Sequence, residues 1–174
     1  MNTVTRRAAI SAIAACAVPK SRASSGAQLL RDAGVHYVPP AGWIAEDFED
    51  HRGVYMYALV GPNDVAATAA IEYAETDDRR SIDQFLSQII ETSKARRPST
   101  VVTSRTAGTT ESGLRYGRVE YRQSQGQVDL ILSQSVIPLG RERRIFVYTT
   151  VREPLHAAYA QTLNAFLMSV AVRA

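Results

Sequence analysis

Three histidines are the first residues to consider for chemistry, because imidazole binds metals and transfers protons near neutral pH. His36, His51 and His156 are scattered, and none belongs to an H-x-x-x-H or H-E-x-x-H pair. His51 follows the acidic stretch 46–50 (EDFED), but an EF-hand loop needs a longer alternating pattern with a central glycine. The sequence therefore predicts no metal site and no cofactor, and it predicts a solvated acidic loop at residues 46–50.

Serine and cysteine nucleophiles lack their usual sequence context. The chain contains no G-x-S-x-G elbow, no S-x-x-K pair and no P-loop. Cys16 is the only cysteine and lies near the N-terminus. We therefore predict a protein that is not an enzyme, and a hydrolase with a motif-free Ser/His/Asp arrangement is kept as an alternative.

Aromatic residues and arginines form a more suggestive pattern. Trp43 follows a Pro-Pro-x-Gly turn, and the β-prone stretch 114–122 has two tyrosines, at 116 and 121, among three arginines. Exposed clusters of Trp, Tyr and Arg are typical of protein interfaces. The alternative is that Trp43 closes the core and the tyrosines cover sheet edges. The predicted partner-binding residues are Trp43, Arg115, Tyr116, Arg118 and Arg122.

The charge balance excludes one large class of partners. The 174-residue chain has 20 Lys and Arg against 17 Asp and Glu, a net charge of +3. Four of the cations, and no acidic residue, lie in residues 1–27. The remainder has 16 basic and 17 acidic residues. Nucleic-acid binders need a surplus of cations to displace counterions from phosphates, so no nucleic-acid partner is predicted.

The N-terminal segment has the form of an export signal. A charged start ends at Arg6-Arg7, and the uncharged run of eleven residues at 8–18 is too short to span a bilayer. Thr5-Arg6-Arg7 resembles the twin-arginine export motif, although Ala9 stands where that motif prefers phenylalanine, so Sec export remains open. We assign residues 1–27 to a signal peptide and residues 28–174 to one domain.

Two forms of processing remain open for this segment. Cleavage after Ala23 or Ala27 would follow a small-x-small pattern and release the domain into the periplasm. Residues 13–16 instead resemble a lipobox, in which Cys16 is acylated and anchors the protein. Membrane contact is expected only in this second case. Both alternatives predict an exported protein.

Hydrophobic periodicity predicts a mixture of helices and strands. Residues 81–96 carry an apolar stripe at helical spacing, with a capping box from Ser81 to Gln84. A β-hairpin, a four-strand antiparallel meander and a C-terminal helix are also predicted. Several strands are apolar on both faces, which indicates helices on each side of the sheet. The ranges are an edge strand at 35–38, hairpin strands at 53–60 and 66–73, meander strands at 100–106, 114–122, 128–137 and 144–151, and a helix at 153–172.

This order of elements resembles the PsbP-like superfamily over residues 35–172. The residues that carry the resemblance are 37–43 (YVPPAGW), 81–85 (SIDQF), 113–121 (GLRYGRVEY) and 165–170 (AFLMSV). The superfamily includes the photosystem II extrinsic protein, a nuclear Ran-binding relative and bacterial exported proteins of the DcrB type. The resemblance implies an α+β fold, an α/β/α sandwich around a mainly antiparallel twisted sheet, and accessory or binding roles without a shared catalytic apparatus.

Three hypotheses on function follow from these observations. The leading one is a non-catalytic envelope protein that binds a protein partner. The second is a small-ligand carrier with a pocket between the sheet and the C-terminal helix, lined by Trp43 and tyrosines. The third is the hydrolase, which would require a histidine, a carboxylate and a hydroxyl to meet in a cleft.

Overall fold

The computed structural model describes residues 25–48, 50, 52–76 and 79–173. Residues 1–24 of the signal peptide predicted at 1–27, including Cys16, lie outside the described residues, as does His51. The helices are α1 (Gly26–Asp32), α2 (Ile82–Arg96) and α3 (His156–Met168), and the 3₁₀ turn Glu153–Leu155 precedes α3. The strands are β1 (Val35–His36), β2 (Ile44–Asp47), β3 (Gly53–Gly61), β4 (Asp64–Glu75), β5 (Val101–Thr109), β6 (Arg115–Gln125), β7 (Val128–Pro138), β8 (Arg143–Arg152) and β9 (Ala171–Val172).

Seven of these strands form one antiparallel sheet in the order β2-β3-β4-β8-β7-β6-β5. The predicted hairpin is confirmed as β3 and β4, and its turn includes Asn63 in the left-handed region at φ 60°. The predicted meander is confirmed as β5 to β8. Because β8 pairs with β4, the hairpin and the meander share one sheet.

Helix α2 forms as its sequence predicts and packs on one face of the sheet. Ser81 accepts a hydrogen bond from the backbone of Gln84, whose side chain accepts one from the backbone of Ser81. Leu86 is fully buried against β6 and β7. The helix approaches closely because β6 has a glycine beneath it: a Cβ on Gly117 would lie 2.1 Å from Ile82 Cγ2.

Helices α1 and α3 pack on the opposite face and enclose the larger core. Leu30 of α1 and Phe166 of α3 are almost completely buried there with Met56 and Ile71. Neighbouring residues on a strand point to opposite faces, so both faces carry apolar side chains. The α/β/α sandwich of an α+β protein is confirmed.

Four local predictions need correction. The edge strand predicted at 35–38 is only β1, which pairs with β9 in a separate two-stranded sheet. The C-terminal helix ends at Met168, because the chain then extends to form β9. Glu46 and Asp47, predicted to lie in a loop, belong to β2. Helix α1 was not predicted, since the segment before β1 is polar and short.

Helix α1 and its cap include residues 25–27, which belong to the predicted signal peptide. Gly26 is buried, and a Cβ there would lie 1.9 Å from the carbonyl oxygen of Gly53 in β3. Ser25 caps the helix by accepting a hydrogen bond from the backbone of Gln28. A cut after Ala27 would remove this cap and this contact, whereas a cut after Ala23 would preserve both. No helix in the described ranges is long and apolar enough to cross a membrane.

Candidate functional site

A cleft of about 400 Å³ lies between α3 and the sheet, over strands β5 to β8. We call it the α3 cleft. Its polar lining includes Arg118, Glu120 and His156, and its apolar wall is formed by Ile131, Val151 and Leu163. Thr106 and Asn164, which are both exposed, lie at its opening. Its volume is in the range typical of small-molecule sites.

An ion pair forms the polar centre of the α3 cleft. Arg118 and Glu120 are two positions apart on β6, so their side chains share one face of the strand. Arg118 Nη2 donates to Glu120 Oε2 at 3.2 Å, and the two side chains are only 18% and 19% exposed. Thr103 donates its hydroxyl to the other oxygen of Glu120 at 3.3 Å. The pair is thus half-buried and partly satisfied by a neighbouring strand.

The cleft brings a histidine, a carboxylate and hydroxyls near one another, as the hydrolase hypothesis requires. His156 Nε2 lies 3.9 Å from Glu120 Oε2, which is beyond hydrogen-bond distance. Among the described residues, no serine or threonine hydroxyl is hydrogen-bonded to His156, so the link between nucleophile and base is not formed. Within the same residues, no three potential metal ligands come together.

The predicted partner-binding residues do not share one surface. Tyr116 and Arg118 line the α3 cleft, whereas Arg115 lies on the opposite face near the start of α2, because successive residues of β6 alternate in direction. Arg122 is exposed on the cleft side and pairs with Glu153 at 3.0 Å. Trp43 packs edge-on against Tyr159 of α3, with ring centroids 6.0 Å apart. Their role in partner binding remains a prediction.

A second candidate surface lies on the α2 side of the sheet, beyond the strands that α2 covers. We call it the tyrosine face, and its members come from β2, β3, β4 and β8. Tyr55 and Tyr57 are partly exposed with ring centroids 5.8 Å apart, and Ile44 beside them is 43% exposed. The tyrosine face comprises Ile44, Glu46, Tyr55, Tyr57, Glu72 and Tyr148.

Carboxylates hydrogen-bond to the hydroxyls of this face. Tyr57 donates to Glu46 Oε1 at 2.9 Å, and Tyr148 donates to Glu72 Oε2 at 3.4 Å. Burial raises the pKa of Glu72, although nearby Arg52 acts in the opposite direction. Burial, followed by the charge of Glu72, raises the pKa of Tyr148 well above its usual range. Both tyrosines therefore keep their protons and act as donors at neutral pH.

Only part of the signal for these two surfaces is present in the sequence. The i, i+2 spacing of Tyr55 and Tyr57 places them on one face of a strand, but it does not show whether a helix covers that face. The α3 cleft depends on how α3 lies across β5 to β8, and its lining joins Ser104 to Asn164, residues far apart in sequence, so no local spacing encodes it.

No protein-family model matches the sequence, and no curated protein matches it. Several solved structures do share the fold. LpqN of Mycobacterium tuberculosis, described as involved in cell envelope biogenesis, aligns with a TM-score of 0.62 and 13% identity over 80% of this chain and 83% of LpqN.

Two further structures have the same arrangement of elements. The cyanobacterial PsbP of Synechocystis sp. PCC 6803 aligns with a TM-score of 0.58 and 15% identity, over 82% of this chain and 88% of PsbP. The Ran-binding protein Mog1p of Saccharomyces cerevisiae aligns with a TM-score of 0.56 and 11% identity, over 82% of this chain and 92% of Mog1p. Identities this low establish shared architecture only. The chain has the PsbP-like fold, as the resemblance in its sequence predicted.

Proposed function

We propose that this protein is an exported, non-catalytic accessory module that binds a protein partner through the tyrosine face. Export rests on the twin-arginine-like segment ending at Arg6-Arg7 and the short apolar run that follows it. The non-catalytic role is supported by the geometry at His156, which has no hydroxyl partner among the described residues.

The observation that carries the proposal is the composition and exposure of the tyrosine face. Tyrosine is enriched at protein interfaces because its ring supplies apolar area and its hydroxyl supplies a hydrogen bond. Here Tyr55 and Tyr57 lie beside the exposed Ile44 on a sheet, a rigid element that needs little ordering on binding.

Charge indicates the kind of partner. Within the described part of this surface, Glu46, Glu72 and nearby Asp50 carry three negative charges, and Arg52 lies 3.0 Å from Asp50 and 3.9 Å from Glu72. A protein surface carrying lysine or arginine would complement this excess of negative charge. The partner is therefore expected to present basic residues.

The shared fold is compatible with this role. Mog1p is described as a Ran-binding protein, and LpqN as involved in cell envelope biogenesis. Because fold alone does not determine function, these neighbours support a binding role only as an analogy. Arg122, one of the partner-binding residues predicted from sequence, is exposed and lies outside the α3 cleft, so a substitution there tests a second location for the interface.

Photo-crosslinking in intact cells tests the proposal. The full chain carries p-benzoylphenylalanine in place of Tyr57. A control carries it in place of Val128, which is also exposed but lies at the start of β7, with two strands between β7 and β3. Each is combined with Glu46→Arg, with the control Glu142→Arg at an exposed hairpin tip, or with Arg122→Glu.

We expect a specific adduct from position 57 that Glu46→Arg abolishes and Glu142→Arg preserves, with basic residues at the crosslinked site of the partner. An adduct lost only in Arg122→Glu would move the interface to the surface predicted from sequence. The absence of any adduct specific to position 57 would contradict the proposal.

A further inference from the structure

The α3 cleft contains two charged side chains that are not part of the tyrosine face. Arg118 and Glu120 neutralise one another, so this lining presents strong donors and strong acceptors without a net charge. His156, Thr106 and Asn164 add further polar groups around the pair. The cleft thus offers hydrogen-bond donors and acceptors, and the charges of its ion pair cancel.

Because the two charges are paired, the cleft favours neutral ligands over anionic or cationic ones. An anionic ligand would pair with Arg118 and leave the half-buried carboxylate of Glu120 with a weaker partner, and a cationic ligand would do the converse. A hydroxyl group can donate to Glu120 and accept from Arg118 at the same time. It can therefore bind both side chains while they remain paired.

The opposite wall favours a ligand with an apolar side. Ile131, Val151 and Leu163 line the cleft next to the ion pair, and the side chain of Tyr116 lies at its margin above Gly108. Sugar rings combine hydroxyl groups at their edges with C–H groups on their faces. These two kinds of group match the polar centre and the apolar wall.

We propose that the α3 cleft is a binding site for a small, neutral, hydroxyl-rich ligand of the sugar class. Arg118 and Glu120 hydrogen-bond to its hydroxyls, and the apolar wall contacts its C–H surface. The site is separate from the tyrosine face, which lies on the other side of the sheet, so either site can be present without the other.

Three probes with the same ring and different charge test this assignment: glucose, glucuronate and glucosamine. Binding to the full mature chain is followed by NMR from the side-chain signal of Arg118 and the backbone amides of Thr106 and Thr149, with Tyr55 as a reporter on the opposite face. We expect glucose to shift the cleft signals and leave Tyr55 unchanged, and the two charged sugars to bind about tenfold more weakly.

Two variants distinguish blockage of the cleft from a general effect on folding. Ala160→Phe fills the cleft without altering its polar groups, and Ala158→Phe adds the same bulk at an exposed position of α3 outside it. The first variant is expected to abolish the shifts and the second to preserve them. Arg118→Met should weaken glucose binding about tenfold.

Three outcomes would overturn the assignment. They are stronger binding of glucuronate or glucosamine than of glucose, glucose shifts that persist in Ala160→Phe, and no shift of any cleft signal with millimolar glucose. None of these results depends on the crosslinking experiment, so failure of this site and failure of the tyrosine-face proposal are distinguishable.

Discussion

The two faces of the sheet are built from the same strands but differ in how completely they are covered. On the α1 and α3 face, Ile145 and Val147 of β8 are fully buried, and Phe166 closes the core above them. On the α2 face, Phe146 and Tyr148 of the same strand are only partly buried, because α2 covers only part of the sheet. The α1 and α3 face therefore encloses the larger core, while the α2 face leaves part of its strands uncovered.

Removing one phenylalanine from each face should show this difference most strongly. Phe166 is 2% exposed, whereas Phe85 is partly exposed and stacks on Phe146 with ring centroids 5.3 Å apart. Phe166→Ala should lower the free energy of unfolding by about 3–5 kcal/mol, and Phe85→Ala by about 1–2 kcal/mol. Urea denaturation measures both values. Equal losses would show that the two faces contribute equally.

A second pair of variants compares the half-buried and the exposed arginine of β6. Arg118→Met leaves Glu120 without its partner, and we expect a loss of about 2 kcal/mol, less than for a fully buried pair because some solvent remains. Arg122→Met breaks a pair whose side chains are 49% and 37% exposed, and should cost less than about 0.5 kcal/mol. Chemical denaturation again provides the measurement. Comparable losses would mean that the cleft does not shield its ion pair.

The smallest expected effect concerns Glu72 on the tyrosine face. Its raised pKa means that the folded state holds a proton more tightly than the unfolded state, so stability falls as the pH rises from the ordinary glutamate pKa through the raised one, and the loss is complete above it. Glu72→Gln should raise Tm by roughly 1 °C at neutral pH. The gain should vanish below a pH of about 4, where the carboxyl is protonated in both states. A constant gain at all pH values would exclude this electrostatic origin.

Elements that depend on neighbouring residues alone were predicted from the sequence. The capping box at Ser81 and the Pro62-Asn63 turn fix a helix start and a hairpin from neighbouring residues alone. Elements that form only through pairing of residues distant in sequence were not predicted. Strand β9 forms only because Val172 meets Val35 across the fold, and the shortness of that strand gives no periodic signal.

The same distinction applies to the candidate sites. Tyr116 and Arg118 are predicted partner-binding residues; both line the α3 cleft, and their role in partner binding stays a prediction. Arg115 was grouped with them although strand alternation directs it to the other face. Pairing partners such as Glu153 for Arg122 come from 31 positions away and could not be inferred from spacing.

If the opposite faces carry two independent binding sites, each can be removed without the other. Both properties, the adduct from position 57 and the NMR shifts with glucose, are measured in Glu46→Arg and in Ala160→Phe. We expect Glu46→Arg to lose the adduct and still bind glucose, and Ala160→Phe to lose glucose binding and still form the adduct. Loss of both properties in either variant, with the fold intact, would show that the two sites are not independent.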